Sequence, residues 1–342
     1  MSRTNTNLNV SKKAQYDEFY TLKETVEEEL KHYIDSFRGK TIYCNCDNPA
    51  ESNFCWYFLK YFNQLHLKRF IATSYSGFDM KPKQLSLFEA FVEPDVIQGS
   101  VLDVSSVGSS GILSEEEIEE LVRRESRYLD RNGDFASPEC RKFMDQADII
   151  VTNPPFSEAV KLIAMLLDAK KQFLILGNFT MLKSKPLLPH YVEGRLWIGV
   201  SRGRTYFKVD SAKDDKTNLI TKDETKYAFF DNIVWITNLP HDYVPPFLDL
   251  TESFSPERYP KYDTYDAIDV NSYKIIPHDY DGIMGVPINI LLAINPQQFQ
   301  VVGEFNHGTD SIYDLAKPIV NGKEQFPRIA IRRVVNNEAF RA

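Results

Sequence analysis

The segment Ile149-Ile150-Val151-Thr152-Asn153-Pro154-Pro155-Phe156 joins a short apolar run to a rigid turn. Its first residues are rich in β-branched side chains, which is typical of a buried strand. The two prolines that follow Asn153 cannot donate to a sheet ladder, so the chain must stop and turn there. Because proline restricts the residue before it to extended geometry, the amide of Asn153 has few orientations. The segment predicts a polar amide and neighbouring carbonyls held at the carboxyl end of a strand.

Phe156 follows this turn directly. An aromatic ring on a loop is poorly placed unless another ring stacks on it or the core buries it. A planar base is one candidate partner. The alternative is that Phe156 closes the top of a core and that Asn-Pro-Pro is an ordinary turn. The surrounding sequence has to distinguish these two interpretations.

Strands and helices alternate around the segment, which predicts an α/β fold with a mostly parallel, twisted sheet flanked by helices. The predicted strands are 41–46, 69–74, 149–152 and 172–177, and the predicted helices between them are 53–65 and 138–146. The first two strands and the helix that joins them form a βαβ unit, which implies parallel pairing and a right-handed crossover.

Two further helices are predicted from apolar residues at helical spacing. In the helix before the first strand, the expected core residues are Leu22, Val26, Leu30, Ile34 and Phe37, and Gly39 is expected to close the helix. In the helix after Phe156, Ser157 is the expected N-cap and the expected core residues are Val160, Ile163, Ala164 and Leu167.

The composition is that of a globular protein, with 342 residues of which 43% are hydrophobic and 13% aromatic. No apolar run approaches the ~20 residues of a membrane span, and the first residues lack an apolar signal core. We therefore expect a cytoplasmic protein with no membrane partner. The four cysteines and six histidines match no metal-ligand spacing, so we expect reduced core thiols and no metal site.

The charge balance argues against a general polyanion-binding protein, because 48 acidic residues outnumber 40 basic ones and the formal net charge is −8. The basic residues are nevertheless clustered, and Arg202, Arg204 and Lys208 form one such cluster. A basic face on an acidic protein and ordinary solvated surface charge are both consistent with this pattern.

The character of the chain changes beyond Leu182, where helical periodicity becomes weak. The strands expected there are 196–200, 204–209 and 233–238. Prolines and tyrosines are frequent from Pro245 to Pro296, which indicates a loop-rich region. The tyrosines either recognise a partner or stabilise a sparse core. We divide the chain into a first domain at 1–240 and a loop-rich region at 241–342.

Two strand ends carry the polar residues that matter for function. In an open α/β sheet, ligands bind outside the carboxyl ends of the strands, where the strand order reverses. Asp47 follows the first predicted strand and Asn153 follows a later one. If these strands are neighbours across the point of reversal, a cofactor held by the first loop would face a substrate held by Asn153.

Four motifs occur in a fixed order along the chain. They are Asp17-Glu18-Phe19-Tyr20-Thr21, Cys44-Asn45-Cys46-Asp47-Asn48-Pro49, Gly133-Asp134-Phe135 and Asn153-Pro154-Pro155-Phe156. In type and order they resemble the motifs of the S-adenosylmethionine-dependent adenine-specific DNA methyltransferases. Tyr259-Pro260-Lys261-Tyr262-Asp263 and the run at 282–287 extend the resemblance over most of the chain.

The resemblance implies a Rossmann-like methyltransferase fold, with a catalytic domain at 1–240 and target recognition at 241–342. It implies S-adenosylmethionine as cofactor, and it makes GAATTC a candidate recognition sequence. The residues implied to line the methionine end of the cofactor are Phe19, Tyr20 and Thr21, those implied to hold its middle are Asp47, Asn48 and Pro49, and those implied to contact its adenosine are Asp134 and Phe135. Phe19 and Tyr20 could instead staple the first helix, and Asp134 could simply close a turn.

One feature departs from the family pattern. The wider family carries glycines in the loop after the first strand, whereas this loop is Asn48-Pro49-Ala50-Glu51-Ser52. The second strand also ends without a clear acid for the ribose hydroxyls. Either Glu51 takes that role, or the cofactor is held in a different way.

The hypothesis for the mechanism is transfer of a methyl group to an adenine that has left the DNA duplex and stacks on Phe156. The Asn153 side-chain oxygen and the Pro154 carbonyl would accept hydrogen bonds from the exocyclic amine as positive charge develops on it. Pro155 completes the rigid turn. The expected partner is double-stranded DNA, bound by a monomer that does not need a restriction endonuclease for its activity.

Two alternatives come from the same residues. Asn-Pro-Pro followed by an aromatic residue suits any planar amino group, so methylation of a protein glutamine or of an RNA base is a second enzyme hypothesis. A non-catalytic DNA-binding relative is a third, because the loop after the first strand lacks glycine. The candidates for contacts in a DNA groove are Arg202, Arg204, Lys208 and the tyrosines.

Overall fold

The computed structural model describes residues 20–75, 98–108, 111–202, 205–208, 219–222, 225–309 and 311–334. The α-helices are α1 Lys23–Leu30, α2 Ile34–Phe37, α3 Asn53–Lys60, α4 Glu115–Glu125, α5 Pro138–Gln146, α6 Ala159–Asp168 and α7 Leu188–Val192. Short 3-10 helices span Lys31–Tyr33, Phe179–Lys183, Tyr273–Ile275 and Ile288–Leu292.

The strands are β1 Tyr20–Thr21, β2 Thr41–Cys44, β3 Arg69–Ser74, β4 Ser100–Val104, β5 Arg127–Tyr128, β6 Ile149–Thr152, β7 Gln172–Asn178, β8 Trp197–Ile198, β9 Thr205–Lys208, β10 Leu219–Lys222, β11 Thr225–Phe230, β12 Ile233–Thr237, β13 Ala267–Asp269, β14 Ile283–Val286, β15 Phe299–Phe305, β16 Asp314–Ala316, β17 Ile319–Val320, β18 Lys323–Glu324 and β19 Arg328–Arg333.

The chain forms two compact units. Unit 1 comprises the described residues within Met1–Asn178 and Gly199–His241, and unit 2 those within Phe179–Ile198 and Asp242–Ala342. The segment Phe179–Ile198 therefore belongs to the same unit as the C-terminal part of the chain. The functional division at residue 240 stays a prediction.

Unit 1 is built on a large mixed sheet with the strand order β5-β4-β3-β2-β6-β7-β12. The four central strands are parallel, since β2 pairs in parallel with both β3 and β6, and β6 pairs in parallel with β7. β4, β5 and β12 add antiparallel edges. The predicted α/β class and the βαβ unit of β2, α3 and β3 are confirmed.

The strand order reverses between β2 and β6. From β2 the chain builds outward through β3, β4 and β5 on one side, then crosses to β6 and continues through β7 and β12 on the other. The carboxyl ends of β2 and β6 therefore flank the point of reversal, as an open α/β sheet requires at its ligand site. The predicted neighbourhood of these two strands is confirmed.

The central strands are buried on both faces, which explains their continuous apolar sequences. All residues of β2 and β6 are buried. Ile42 and Cys44 join the core that includes α1 and α3, whereas Tyr43 contacts Phe143 of α5 on the opposite face, with ring centroids 6.1 Å apart. Helices therefore cover both sides of the sheet and leave the strand ends for the site.

The first predicted helix is wrong in one detail, because a 3-10 turn at Lys31–Tyr33 divides it into α1 and α2. Val26, Leu30 and Phe37 are buried as predicted, and Gly39 has the positive φ of a helix-closing residue. Ile34 is 38% exposed, and Tyr33 takes the buried place instead. The tighter 3-10 winding changes which residues face the core after Leu30.

The helix after Phe156 is also shifted from the prediction. α6 begins at Ala159 with Glu158 at its N-cap and no side-chain cap, so Ser157 is not the cap. The residues buried on α6 are Ala159, Leu162, Ile163 and Leu166, whereas the expected set was Val160, Ile163, Ala164 and Leu167. A turn at 156–158 precedes the helix, and the buried face of α6 lies one residue earlier than predicted.

Three smaller sheets complete the units among the described residues, and one of them is the two-stranded pair β17-β18 of unit 2. In unit 1 the order is β1-β9-β11-β10, and β1 pairs with β9 so that Thr21 lies opposite Phe207. In unit 2 the order is β13-β14-β19-β15-β16. Unit 2 is therefore a folded sheet with long connections, which refines the prediction of a loop-rich region. Among the described residues, no helix combines the length and apolar character needed to cross a membrane.

Candidate active site

The site begins where β2 and β6 end side by side. Asp47 follows β2, and its carboxylate Oδ2 accepts a hydrogen bond from the Thr152 hydroxyl at 2.5 Å. Thr152 is the last residue of β6, so Asn153 lies next to the Asp47 carboxyl. The Asp47 amide donates to the Thr73 carbonyl of β3 at 3.0 Å. Asp47 thus connects the ends of three parallel strands.

The Asp47 carboxyl is only 5% exposed and is surrounded by hydrogen-bond donors. Ser52 Oγ donates to Oδ1 at 2.7 Å, and Thr152 Oγ1 donates to Oδ2. Burial raises the pKa of Asp47 to about 6, although the hydroxyls of Thr152 and Ser52 and the backbone N–H of Asn153 each lower it. The desolvation of the carboxylate therefore outweighs three favourable hydrogen bonds.

The turn Asn153-Pro154-Pro155-Phe156 stands directly on this pair of strand ends. Pro154 is buried, whereas Asn153, Pro155 and Phe156 are half-buried. The Glu158 amide donates to the Pro155 carbonyl at 2.9 Å and closes the turn. Phe156 packs against the core through part of its ring and stays partly accessible. Both interpretations of Phe156 thus have a structural basis, since the core supports a ring that is still within reach of a ligand.

The loop after β2 keeps its shape without glycine. The Ala50 amide donates to the Asn48 side-chain oxygen at 3.1 Å, and the Ser52 amide donates to the Asn48 carbonyl at 2.8 Å. Pro49 is buried beneath this turn. Ser52 then caps α3 by accepting from the Phe54 amide at 3.1 Å. Side-chain hydrogen bonds close a turn here that glycine would otherwise form.

Glu51, the candidate ribose acid, is exposed at the tip of this loop. Its amide donates to the Asn48 carbonyl at 3.1 Å, which keeps its backbone in the turn. Glu51 therefore reaches solvent, whereas the Asp47 carboxyl is turned inward to protein groups.

Thr21 is brought to the start of α3 from a distant part of the sequence. Asn53 Nδ2 donates to the Thr21 carbonyl at 2.6 Å. Thr21 is 3% exposed, and its hydroxyl has no hydrogen-bond partner among the described residues. Phe19 lies outside the described residues, and only the backbone of Tyr20 is described. Of the three predicted methionine-end residues, Thr21 is the one that the described part of the chain places at the start of α3, through its backbone carbonyl.

The segment Gly133-Asp134-Phe135 packs against the end of β3. Gly133 has a φ of +77°, and a Cβ there would lie 2.1 Å from the Ser74 carbonyl, so no other residue fits without moving the strand. Asp134 Oδ1 accepts from the Ala136 amide at 2.8 Å. Phe135 is buried, with Lys161 Nζ of α6 5.3 Å from its ring centroid. This segment therefore lies between the β3 end and the helix that follows the turn.

Cys46, Ser52 and Thr152 are site residues that the sequence analysis did not select. The Cys46 amide donates to Thr152 Oγ1 at 3.2 Å. Burial raises the pKa of the Cys46 thiol, and the nearby Asp47, Cys140 and Asp134 raise it further while Thr152 opposes them. Their sequence signal is position alone, because each lies within a few residues of Asp47 or Asn153.

Arg202 lies on a segment that a buried acid fixes in place. Glu29 of α1 is fully buried, and its carboxylate accepts from Tyr33 Oη at 2.7 Å, the Val200 amide at 2.9 Å and the Ser201 amide at 2.6 Å. A Cβ on Gly199 would lie 2.1 Å from Glu29 Oε1, which explains the glycine. Glu29 thus positions the segment that carries Arg202.

The other two basic candidates are described less fully. Arg204 lies outside the described residues, and only the backbone of Lys208 is described, paired with Tyr20 across β1 and β9. Among the described residues, no group of three or more His, Cys, Asp and Glu could hold a metal ion.

The donor set of this site suits a sulfonium cofactor with a nucleoside end. Asp134 supplies negative charge near Cys46, which favours a cationic ligand. The Thr21 hydroxyl and the Asn45 side-chain oxygen are buried without partners among the described residues, and both can accept from an ammonium group. The residues present therefore fit S-adenosylmethionine.

Known proteins resemble this chain over nearly its whole length. The family model described as adenine-specific methyltransferase EcoRI matches residues 7–335. The type II methyltransferase M.EcoRI of Escherichia coli is 34% identical, with 97% of this chain and 98% of that protein covered. M.MgeORF184P of Mycoplasma genitalium is 33% identical, with 95% and 98% covered, and M.MpnI of Mycoplasma pneumoniae is 33% identical, with 86% and 84% covered. No solved structure matches the chain.

The family assignment and the geometry agree, because the family model covers the strand ends, the turn and both units. The chain belongs to the EcoRI family of adenine-specific methyltransferases.

Proposed function

We propose that this chain is a restriction-modification DNA methyltransferase that transfers a methyl group from S-adenosylmethionine to N6 of an adenine flipped out of double-stranded DNA. The observation that carries the proposal is the junction of β2 and β6, where the Asp47 carboxyl and the turn that begins at Asn153 meet. Methyl transfer needs a donor and an amino group held face to face, and this junction supplies adjacent places for both.

On the substrate side, Asn153 and Pro154 hold the amino group. The Asn153 side-chain oxygen and the Pro154 carbonyl accept hydrogen bonds from the adenine N6 hydrogens, and Phe156 stacks on the base. The acceptors gain strength as positive charge develops on nitrogen, so they stabilise the transition state more than the bound base. The turn needs little rearrangement, because two prolines and the Glu158–Pro155 hydrogen bond already fix it.

On the donor side, S-adenosylmethionine when bound supplies the electrophilic methyl group. The residues proposed to hold it are Phe19, Tyr20 and Thr21 at the methionine end, Asn48 and Pro49 beside its middle, and Asp134 and Phe135 at the adenosine. The buried hydroxyl of Thr21 and the half-buried Asp134 at the end of β3 support this arrangement.

The DNA contacts are proposed on a coarser basis. Arg202, Arg204 and Lys208 are assigned to the phosphate backbone, and unit 2 is assigned to target recognition. The hydrogen bonds from Val200 and Ser201 to Glu29 support the assignment of Arg202 to DNA binding, because a fixed segment loses less entropy when DNA binds. We propose a monomer that needs no restriction endonuclease for methyl transfer.

Substrate competition tests this function. The purified chain is given S-adenosylmethionine with a labelled methyl group together with duplex DNA, RNA and a glutamine-containing release factor, and the digested products are separated. We expect label in N6-methyladenine from DNA and in no other product. Label confined to RNA or protein would replace the proposal with another substrate class. Absence of both methyl transfer and calorimetric binding of S-adenosylhomocysteine would indicate a non-catalytic relative whose loop after β2 does not hold the cofactor.

A further inference from the structure

We propose that Asp47 is a positioning residue, whose carboxylate locks the end of β2 to the first residue of the catalytic turn and does not bind the methyl donor. The inference rests on the proposed function and deepens it, because the family resemblance places Asp47 with Asn48 and Pro49 at the middle of the cofactor, whereas the structure gives its carboxylate other partners.

Both oxygens of the Asp47 carboxylate accept hydrogen bonds from protein groups. Oδ1 accepts from Ser52 Oγ at 2.7 Å, Oδ2 accepts from Thr152 Oγ1 at 2.5 Å, and the backbone N–H of Asn153 also bonds to the carboxylate. The residue is 5% exposed. Protein donors therefore occupy the carboxylate, and little of its surface remains for a ligand.

These donors join the ends of β2 and β6 and fix the backbone of Asn153. The Thr152 hydroxyl accepts from the Cys46 amide at 3.2 Å while it donates to Asp47, so the ends of β2 and β6 are joined in both directions. The bond from the Asn153 N–H fixes the backbone of that residue from the other side. Pro154 restricts the same residue from its carboxyl side. Asn153 is therefore held at both of its peptide bonds.

The hydroxyl hydrogens of Ser52 and Thr152 both point at the Asp47 carboxylate. Ser52 Oγ accepts from the Phe54 amide at 3.1 Å, and Thr152 Oγ1 accepts from the Cys46 amide. A hydroxyl has a single hydrogen, and with a backbone amide on one side each hydroxyl points that hydrogen at Asp47. An ionised carboxylate accepts both. A protonated carboxyl would present its own hydrogen to one of these hydroxyls and force it to turn away.

The surroundings of Asp47 determine the pH range in which its carboxylate is ionised. The titratable groups near this cluster are the thiols of Cys44 at the end of β2, Cys46 after it, Cys55 of α3 and Cys140 of α5, together with the Asp134 carboxyl, and none of the groups that shift the pKa of Asp47 is a cation. Burial raises that pKa to about 6. As pH falls through about 6, the Asp47 carboxylate therefore becomes protonated and its hydrogen bonds with Ser52 and Thr152 rearrange. This pH dependence makes the positioning role measurable.

The test compares Asp47→Asn with Asp134→Asn in the full-length protein. For each variant, kcat for DNA methylation, KM for S-adenosylmethionine and the calorimetric Kd for S-adenosylhomocysteine are measured. We expect Asp47→Asn to lower kcat on the order of tenfold to a hundredfold with the Kd unchanged within about twofold. Asp134→Asn, a change in the proposed adenosine contact, should raise the Kd instead.

Two further variants keep the result specific. Asp47→Ala should lower kcat more than Asp47→Asn, because the amide still accepts from one donor. Thr152→Val, which removes the bridging hydroxyl at nearly constant volume, should lower kcat in the same direction, and the double variant with Asp47→Asn should lose less than the two single losses combined. The kcat of the wild-type chain should fall below pH about 6, and Asp47→Asn should lose this titration.

Each contrary result has a distinct meaning. An Asp47→Asn variant whose Kd for S-adenosylhomocysteine rises as much as its kcat falls would assign Asp47 to donor binding and overturn the inference. Wild-type kcat in both Asp47 variants would do the same. A wild-type chain that binds S-adenosylhomocysteine but never methylates DNA would overturn the proposed function, and the inference with it.

Discussion

Asp269 of unit 2 and Asp47 of unit 1 are both buried carboxylates, but the charges of their hydrogen-bond partners differ. In unit 2, Asp269 is 4% exposed and accepts from Tyr262 Oη at 2.6 Å and Arg328 Nε at 3.0 Å. In unit 1, Asp47 is as deeply buried, but hydroxyls and a backbone amide surround it instead of a cation. The two carboxylates therefore have the same burial and different electrostatic compensation.

The contrast distinguishes Asp269, a carboxylate that stabilises the fold, from Asp47, a carboxylate at the proposed active site. A paired buried charge is compensated locally and holds a sheet together. The uncompensated Asp47 is different, because its folded pKa of about 6 lies above its ordinary value of 3.8. Its protonated form is favoured by folding, so its contribution to stability is present below about pH 4 and is lost as pH rises through 6. At neutral pH the ionised carboxylate costs about 3 kcal/mol, which a protein retains where function requires it.

The largest effect is expected when Asp269 loses its cationic partner and so comes to resemble Asp47, which has no cation beside it. Arg328→Met leaves Asp269 buried without its cation, and we expect the free energy of unfolding to fall by about 3–5 kcal/mol. Adding Asp269→Asn should restore part of this loss, because no buried charge then remains. Denaturant unfolding measures the change. Arg332→Met, at an exposed neighbour on the same strand, is the matched control and should shift stability by about 0.5 kcal/mol or less. Equal losses in both variants would contradict the assigned role of the buried pair.

The next effect sharpens the other side of the comparison. Asn153→Ala should lower the rate of methyl transfer by about 10²–10³, because the transition state loses an acceptor for its developing charge. Unfolding free energy and S-adenosylhomocysteine affinity should stay near wild type, since Asn153 is half-buried and lies on the substrate side. Single-turnover kinetics and calorimetry measure these quantities. Loss of cofactor binding in step with activity would contradict the division into two half-sites.

The smallest effect concerns Phe156, which the core supports from below. Phe156→Ala should weaken capture of the flipped base by about 1–3 kcal/mol and lower the fluorescence increase of a 2-aminopurine placed at the target. Phe156→Tyr keeps the ring and serves as the control. An unchanged fluorescence signal in the alanine variant would leave Phe156 as a core residue only.

Much of the fold was predictable because local pattern and global topology agree. The β-branched run before Asn153 and the alternation of strands and helices predicted β6 and the parallel centre of the sheet, and the rule for ligand sites in open α/β sheets led us to expect β2 and β6 side by side. These signals are short-range periodicities, which local sequence determines well.

The remaining features depend on contacts that periodicity does not encode. Thr152 and Asp47 are 105 residues apart, and Glu29 bonds to amides more than 170 residues away. Glu29 also lies on a helix where acids are ordinarily solvated, so its full burial has no local signal. The 3-10 turn at Lys31–Tyr33 gave Tyr33 the buried place expected for Ile34, and the Tyr33 hydroxyl donates to the buried Glu29 carboxylate.

Sequencing that detects methylated bases tests the central claim most directly. DNA is taken from cells that lack other adenine methyltransferases and that express either the wild-type chain or Asn153→Ala. We expect N6-methyladenine in one recurring sequence context with the wild-type chain, GAATTC being the first candidate, and none with the variant. Absence of methyladenine with the wild-type chain, or equal methylation by the two proteins, would contradict the account.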